Sequence, residues 1–365
     1  MTSVVFVNRA GRYSGAEVVF LKLVQIACQR GYQVRVVCPT GPLSERLPES
    51  VEHFPIGELD LGGASGVARA FAAVTLARRW IRSAAVIRRA ADSDSKVIVN
   101  SLLALPAARL ARLRQGVSWL VHDTVHESKQ RAMIRIGKPA IRRALAVSPP
   151  TAEPVRELGL EVDVVPLGIE IPGVVAKLGN HQEPVVGIMA LLTPWKGHRV
   201  LLRAVAEVPG VQCEIAGIAM ATDAAYAEEL QRLSEDPKLA GRVKFLGHVD
   251  PVATMASWDI LVSASTSPEA GPIVALEAMS VRLPVIATDH GGSTWLLRDG
   301  AGVLIPPDDA EALATAITWV VQNPETVEEM VDRAYRRVST DHDPAVAYPA
   351  MLDTLLGQEG QDAAR

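Results

Sequence analysis

The sequence predicts an α/β protein made of two Rossmann-like, doubly wound domains. Three observations predict it. Short continuous apolar runs, such as Val4-Val5-Phe6-Val7 and Val185-Val186-Gly187-Ile188-Met189, alternate with helix-length segments, as buried parallel strands do with their crossovers. Glycine- or proline-bearing loops follow several of these runs, where a parallel sheet opens its ligand crevice. The length of 365 residues exceeds one ordinary core, so two domains are expected.

Composition excludes several classes. A hydrophobic share of 48% with 21% charged residues describes a soluble globular chain. No apolar run approaches the roughly 20 residues that span a bilayer, and MTSVVFVNR lacks a signal-peptide layout, so the expected location is the cytoplasm. Cys28, Cys38 and Cys213 stand in apolar settings without metal-ligand spacing and are expected as reduced core residues. Residues 1–170 carry 23 Lys+Arg against 15 Asp+Glu, and the remainder 14 against 26. A basic first half suits a peripheral contact with anionic membrane or an anionic acceptor; a solvated arginine-rich surface explains it equally. Aromatic residues are few and not interleaved with basic ones, so nucleic acid is not an expected partner.

In chain order, the run Val4–Asn8 reads as a strand, Arg9–Glu17 as a loop, 16–30 as a helix and Val34–Cys38 as a second strand. Gly11 and Gly15 lie in that first loop, where a missing side chain lets a phosphate approach the backbone or simply permits a turn. Residues 62–91 read as a helix with Val67, Phe71, Val74, Ala77, Ile81 and Ile87 facing inward and its arginines outward; a membrane-surface helix has the same pattern. Lys96–Asn100 and Val117–Asp123 read as strands, so His122 and Asp123 fall at a strand's carboxyl end, where crevice residues belong. Val162–Gly168 closes the first half, and Pro172, Gly173, Gly179 and Asn180 mark a hinge. The expected divisions are a first domain over 1–170, a linker over 171–183, a second domain over 184–340, a terminal helix over 341–356 and a frayed tail over 357–365.

The second half restarts at Val185–Met189, followed by the loop Leu192–His198 and a helix to about Val208. Strand-like runs recur at Gln212–Ala216, Val243–Leu246, Asp259–Ser263, Pro284–Ala287 and Gly302–Ile305. After Asp259–Ser263, Pro272 marks a helix start, whose free N–H groups and positive dipole end suit a phosphate. Glu269 lies at the mouth of that helix, and Glu277, eight residues on, is expected two turns along on roughly the same face. Two carboxylates beside an anion-binding helix start suit a ligand with both phosphates and hydroxyls, such as a nucleotide sugar. A turn residue and a solvated helix face are the plainer alternative.

Together these stretches resemble the retaining glycosyltransferases of family 4. The resemblance rests on SGAE at Ser14–Glu17, VNS at Val99–Ser101, VHD at Val121–Asp123, VVPLGIE at Val164–Glu170, TPWKGH at Thr193–His198, VKFLGHV at Val243–Val249 and EAGPIVALEAMS at Glu269–Ser280, the last followed by LPVIATDHGG. It implies the GT-B fold, with two domains facing a central cleft, the donor mainly on the second domain, the acceptor mainly on the first and the last helix crossing back. It assigns Lys196 to the donor diphosphate and Glu277 to the ribose. Glu269 and the backbone after it, through Gly271, Ile273 and Val274, would hold the donor sugar, and Gly15 would approach the phosphates. His122 resembles the active-site histidine, with Asp123 beside it on the acceptor side; His122, Glu269 and Lys196 form the implied catalytic group. The implied chemistry is metal-independent transfer from a nucleoside-diphosphate sugar to an acceptor hydroxyl with retention, and no cofactor is required. A catalytically impaired binding protein of the same fold, or an epimerase acting on the nucleotide sugar, are the alternatives.

The same resemblance locates departures. Ala190 and Leu191 stand where the family commonly carries Gly-Arg, so a diphosphate-pairing charge is missing. Gly271-Pro272 replaces Phe-Gly and removes one N–H donor, Arg282 replaces a glycine, and Trp295 replaces a frequent glutamate. Arg199 or Arg282 could supply the missing cation, or each could be an ordinary surface arginine.

Overall fold

A computed structural model describes residues 2–60, 66–177, 179 and 181–358. They form two units, one drawn from residues 1–167 and 345–365 and the other from 168–344. Expected features at 62–65, at the Val67 side chain, at Asn180 and in the tail beyond residue 358 lie outside the described residues.

The first unit carries β1 (Ser3–Val7), β2 (Gln33–Cys38), β3 (Glu52–Pro55), β4 (Lys96–Val99), β5 (Val117–Val121), β6 (Ile141–Ala146) and β7 (Val162–Val164). They make one parallel sheet in the order β3-β2-β1-β4-β5-β6-β7. Helices α1 (Gly15–Gln29), α2 (Gly66–Ala90), α3 (Leu105–Ala111), α4 (Ser128–Gly137) and α5 (Pro149–Arg156) connect the strands. All five residues of β1 are buried, because a central parallel strand is covered on both faces. β3 (EHFP) escapes a reading based on apolar runs, since an edge strand needs no buried run; its residues are half-buried or exposed.

The inward face of α2 differs from the expected one. Leu76, Ala84, Ile87 and Ala90 are buried, whereas Phe71, Val74 and Ile81 are 71%, 54% and 62% exposed, and Ala77 is exposed too. The helix carries apolar residues on more than one side, so its sequence alone left the choice of stripe open. Packing against the sheet and α3 selects the narrower, alanine-rich one.

The second unit carries β8 (Val185–Met189), β9 (Gln212–Ala216), β10 (Val243–Gly247), β11 (Ile260–Ser263), β12 (Val285–Thr288) and β13 (Val303–Ile305), in the order β10-β9-β8-β11-β12-β13, again parallel. Its helices are α6 (His198–Ala206), α7 (Ala224–Ser234), α8 (Pro251–Met255), α9 (Ile273–Ser280), α10 (Gly291–Leu296), α11 (Ala310–Gln322) and α12 (Pro324–Asp341). The last helix, α13 (Pro344–Leu356), groups with the first unit, where Ser118 Oγ donates to the Leu355 carbonyl at 2.5 Å and Arg30 pairs with Asp353 at 2.5 Å. Gly187 is the glycine within β8, where a β-carbon would overlap the ring of the fully buried Trp258. Among the described residues, 165–184 hold no helix or strand. Asp259 ties part of this segment down, accepting from Val185 N at 2.8 Å and Gly179 N at 3.1 Å and meeting His181 Nδ1 at 2.7 Å.

Both strand orders reverse direction once, between β1 and β4 in one sheet and between β8 and β11 in the other. Loops leaving the sheet on either side of such a switch point diverge and leave room for a ligand. Most of the functional candidates follow the strands at or beside these two points.

Candidate active site

In the second unit the switch point brings the loops after β8 and β11 together. Pro194–Lys196 form a single tight turn, and Gly197 then takes φ 77° and ψ 18° to start α6. A β-carbon on Gly197 would overlap the Ala264 carbonyl, so the two loops touch backbone to backbone. Thr266 N donates to the Trp195 carbonyl at 2.8 Å across the same contact. The result is an ion pair 73 residues apart in sequence: Lys196 Nζ lies 2.6 Å from Glu269 Oε2, with both side chains largely buried. The Trp195 ring covers the ammonium, 4.2 Å from its centroid.

Glu269 is not on the helix. α9 begins at Ile273, with Pro272 as its cap, so the expected shared helix face of Glu269 and Glu277 does not exist; Glu269 sits in the loop ahead of the helix and reaches Lys196 instead. Ala275 N and Leu276 N already bond to the Pro272 carbonyl, which leaves the N–H groups of Ile273 and Val274 as the open donors of the first turn among the described residues. Gly271 precedes them at a half-buried position. Glu277 is half-buried, and among the described residues no group hydrogen-bonds or pairs with its carboxylate. Burial pushes its pKa up from 4.5 to about 7. A desolvated carboxylate without a protein partner is expensive unless a ligand's hydroxyls complete it.

The departures also find their places. Arg199 pairs with Glu229 at 2.8 Å over the Tyr226 ring, and Arg282 pairs with Asp332 at 2.6 Å over the Tyr335 ring, so both guanidiniums are engaged as surface arginines. Arg282 follows α9 with φ 61°, the left-handed position at which a helix usually ends on glycine. Trp295 stacks edge-on against His342 at 5.9 Å and under Arg298 at 4.5 Å. Leu191 is 41% exposed, and the next residue, Leu192, bonds through its N–H to the carbonyl of Ile218, which is exposed as well.

Sequence reasoning missed the supports of Glu269. Ser265 Oγ donates to Glu269 Oε1 at 2.5 Å, and the Ser265 carbonyl accepts from Thr288 Oγ1 at 2.9 Å and His290 Nε2 at 2.8 Å. Gly292 N donates to the Glu269 carbonyl at 2.7 Å, an approach that neither Gly291 nor Gly292 could make with a side chain. The only sequence signal was the DHGG turn itself.

In the first unit, His122 and Asp123 follow β5 directly. Among the described residues His122 Nε2 is buried without a hydrogen-bond partner, and burial lowers the imidazole pKa to about 4, so the ring is neutral at physiological pH. Asp123 is pushed upward by burial, against the pull of the Arg9 and Arg12 guanidiniums, and accepts from Leu102 N at 3.4 Å. Beside them runs an unanticipated buried network. Asn8 Nδ2 donates to Glu17 Oε1 at 3.2 Å, and Asn8 Oδ1 accepts from Asn100 Nδ2 at 3.0 Å and Ser101 Oγ at 2.8 Å. Ser14 Oγ holds the other Glu17 oxygen at 2.5 Å. Gly15 is exposed at the first position of α1, whereas Gly11 is packed against the Thr40 and Pro39 carbonyls and serves the chain's own turn. The residue groups of the two units are thus assembled separately, Lys196, Glu269, Gly271, Ile273, Val274 and Glu277 in one, Gly15, His122 and Asp123 in the other.

Comparison with known proteins bears on these two groups. Residues 13–171 match the family described as Glycosyltransferase Family 4, and residues 175–337 the family described as Glycosyl transferases group 1. The lipopolysaccharide core biosynthesis glycosyltransferase LpsE of Rhizobium meliloti is 31% identical over 191 residues, 52% of this chain and 49% of that protein. A phosphatidyl-myo-inositol mannosyltransferase of Mycobacterium leprae is 27% identical over 324 residues, 83% of this chain and 82% of that one. The chain therefore spans about half the length of LpsE but most of the mannosyltransferase. Among solved structures, HepE of Anabaena in complex with UDP-glucose superimposes with a TM-score of 0.80 at 22% identity, covering 98% of this chain and 100% of that one. With both units matched and the strand orders those of paired Rossmann-like sheets, the chain belongs to glycosyltransferase family 4 and has the GT-B fold.

Proposed function

We propose that this chain transfers a sugar from a nucleoside-diphosphate sugar to an acceptor hydroxyl, with retention of anomeric configuration and without a metal ion. The observation that carries the reading is the Lys196–Glu269 pair at 2.6 Å beside the start of α9, with the unpartnered Glu277 carboxylate farther along that helix. Cation, open amides and two carboxylates are the complement of a diphosphate flanked by a ribose and a hexose. HepE of Anabaena, of the same fold, was solved with UDP and with UDP-glucose, which supports the nucleotide-sugar reading. In this reading residues 184–340 hold the donor, 1–170 hold the acceptor and 171–183 link them. Lys196 and the N–H groups of Ile273 and Val274 take the diphosphate, with Gly15 approaching the phosphates from the first domain. Glu277 takes the ribose hydroxyls, and Glu269 and Gly271 the donor sugar. The bond between the anomeric carbon and the diphosphate oxygen breaks as the acceptor oxygen bonds to the same face. The acceptor's proton passes to the departing diphosphate, and neutral His122, with Asp123, orients the acceptor hydroxyl.

Glu277 gives this reading a pH signature. Its folded-state pKa lies above the ordinary 4.5, so the folded chain holds this proton more tightly than the unfolded one, and stability falls as pH rises from about 4.5 through about 7. Ribose hydroxyls need the ionised form, so nucleoside diphosphate affinity should rise between about pH 6 and pH 8. Glu277→Gln should flatten that rise, weaken binding at about pH 8 by about 10- to 100-fold, the worth of charged hydrogen bonds, and gain melting temperature relative to wild type as pH increases. Titration calorimetry across pH checks the first two and thermal melts the third.

The apolar Leu191 favours a second reading, a binding protein that holds the nucleotide without turnover. One experiment separates the two. Thermal melts with UDP, GDP, ADP and dTDP identify the base, and nucleotide release is then followed with the matching sugar donors and an acceptor panel, with and without EDTA. Release that needs both substrates and survives EDTA supports the transferase; a thermal shift without release supports the binding protein; no shift with any nucleotide overturns both.

The exposed side of α2 carries Phe71, Val74 and Ile81 among Arg78, Arg82 and Arg89. This suits a peripheral contact with the anionic cytoplasmic face of a membrane. Replacing the three arginines by glutamate should abolish sedimentation with phosphatidylglycerol vesicles, which pure phosphatidylcholine vesicles should not support even for the wild type. Among the described residues no helix is long and apolar enough to cross a membrane.

A further inference from the structure

Glu269 is held from two directions. Lys196 occupies Oε2 at 2.6 Å and Ser265 occupies Oε1 at 2.5 Å. The two contacts differ in kind. Lys196 is on a long flexible stem, and it is the one Lys or Arg in the loops 190–198 and 264–272. A diphosphate bound at the start of α9 competes for its ammonium directly, and the more so because Leu191 supplies no second charge. Ser265 has no such freedom. It is 2% exposed, its side chain is short, and its carbonyl is fixed by two groups from the end of β12 and the turn after it, Thr288 Oγ1 at 2.9 Å and His290 Nε2 at 2.8 Å. A carbonyl only accepts, so His290 donates from Nε2; its Nδ1 is buried and has no partner among the described residues.

We infer that His290 and Ser265 are positioning residues for Glu269: they keep its carboxylate in place when the donor's diphosphate draws Lys196 away. The Lys196–Glu269 pair is then a resting contact that donor binding exchanges. Before the exchange Lys196 neutralises Glu269; afterwards it neutralises the diphosphate, and Glu269 Oε2 is released toward the donor sugar while Oε1 stays on the Ser265 hydroxyl. One cation then serves two anions in turn, so the carboxylate that has lost its lysine depends on the Ser265 hydroxyl and on the donor's own hydroxyls. Without the serine, a carboxylate that has lost its lysine would rotate freely, and a misplaced group of this kind lowers turnover more than nucleotide affinity. The inference rests on the donor-site reading above.

The test has a structural and a kinetic arm. In crystals of Lys196→Ala, Glu269 should keep its rotamer on Ser265, and in Lys196→Ala/Ser265→Ala it should swing away; a carboxylate that leaves Ser265 in the single variant, or stays put in the double one, overturns the inference. Kinetically, Ser265→Ala and His290→Ala should lower kcat about 10- to 100-fold while the Kd for the nucleoside diphosphate changes less than about threefold. His290→Gln, whose amide nitrogen occupies the Nε2 position, should recover most of that loss. An equal fall in kcat and nucleotide affinity, or no recovery with glutamine, would reduce both residues to ordinary structural roles. Failure of the transferase reading is visible separately, as no nucleotide release by the wild type with any donor, and the Glu269 rotamer then decides the positioning roles alone.

Discussion

Replacing Lys196 by alanine should lower kcat/KM by about 10²–10³, the usual effect of removing one charged donor from a developing anion, or roughly 3–4 kcal/mol. The expectation is at the high end because the loops 190–198 and 264–272 hold no other Lys or Arg. Arg199 is committed to Glu229 and Arg282 to Asp332, and Leu191 stands where a second cation would share the charge. The same substitution leaves Glu269 with one partner instead of two, an unfavourable state for a largely buried carboxylate. Leu191→Arg in the alanine background should restore activity about tenfold, because a guanidinium offers bidentate bonds to a phosphate from the same loop. Steady-state kinetics with the preferred donor measures both. A loss of less than about fivefold in Lys196→Ala would mean that the leaving diphosphate is neutralised elsewhere and would remove the central role given to this lysine.

Gly197→Ala should be among the most damaging single methyls in the second unit. The backbone there is left-handed, at φ 77°, which costs an L-residue roughly 1–2 kcal/mol. The new β-carbon would also overlap the Ala264 carbonyl, so the loops after β8 and β11 must separate, at a further cost of about 1–3 kcal/mol. Together these predict a fall in melting temperature of roughly 5–15 °C for a unit of this size. Gly210 is a built-in control, with φ 76° and nothing within 4 Å of an added β-carbon. Gly210→Ala should show the left-handed cost alone, about 1 kcal/mol. If the two variants melted together, the close approach of Gly197 to Ala264 would not be what joins the loops. Because Lys196 is the preceding residue, Gly197→Ala should also lose nucleotide binding, where Gly210→Ala should keep it.

Much of the fold was legible because parallel sheets write themselves as apolar runs. Val185–Met189 and Gln212–Ala216 have the bounds read from sequence, and most other strands differ by a few residues at their ends. The edge strand Glu52–Pro55 was not legible, since only one side of it is paired and little of it is buried. The inward face of α2 was not legible either: its buried residues include small alanines that weigh little on a hydrophobic scale, while bulky Phe71 and Ile81 point outward. The site shows the same division. Lys196, Glu269 and Glu277 were nameable from their motifs, but Ser265, Thr288 and His290, which hold Glu269, carry no spacing signal. Their contacts cross from the end of one strand to the end of its neighbour.

The sequence by itself determined the class of architecture, the two-part layout and the residue types gathered around a strand–turn–helix start. These depend on local periodicity and on which residues tolerate a turn, and both are properties of short segments. Only the tertiary structure decided what those residues do to one another. It placed Glu269 ahead of the helix and against Lys196, left the Glu277 carboxylate without a protein partner among the described residues, and tied up Arg199 and Arg282 with surface acids. The physical reason is that charge and hydrogen bonding act over a few ångströms in space. The strands β8 and β11, which meet through the register pairs Val186 with Ile260 and Gly187 with Leu261, are far apart along the chain and become neighbours only when the sheet forms.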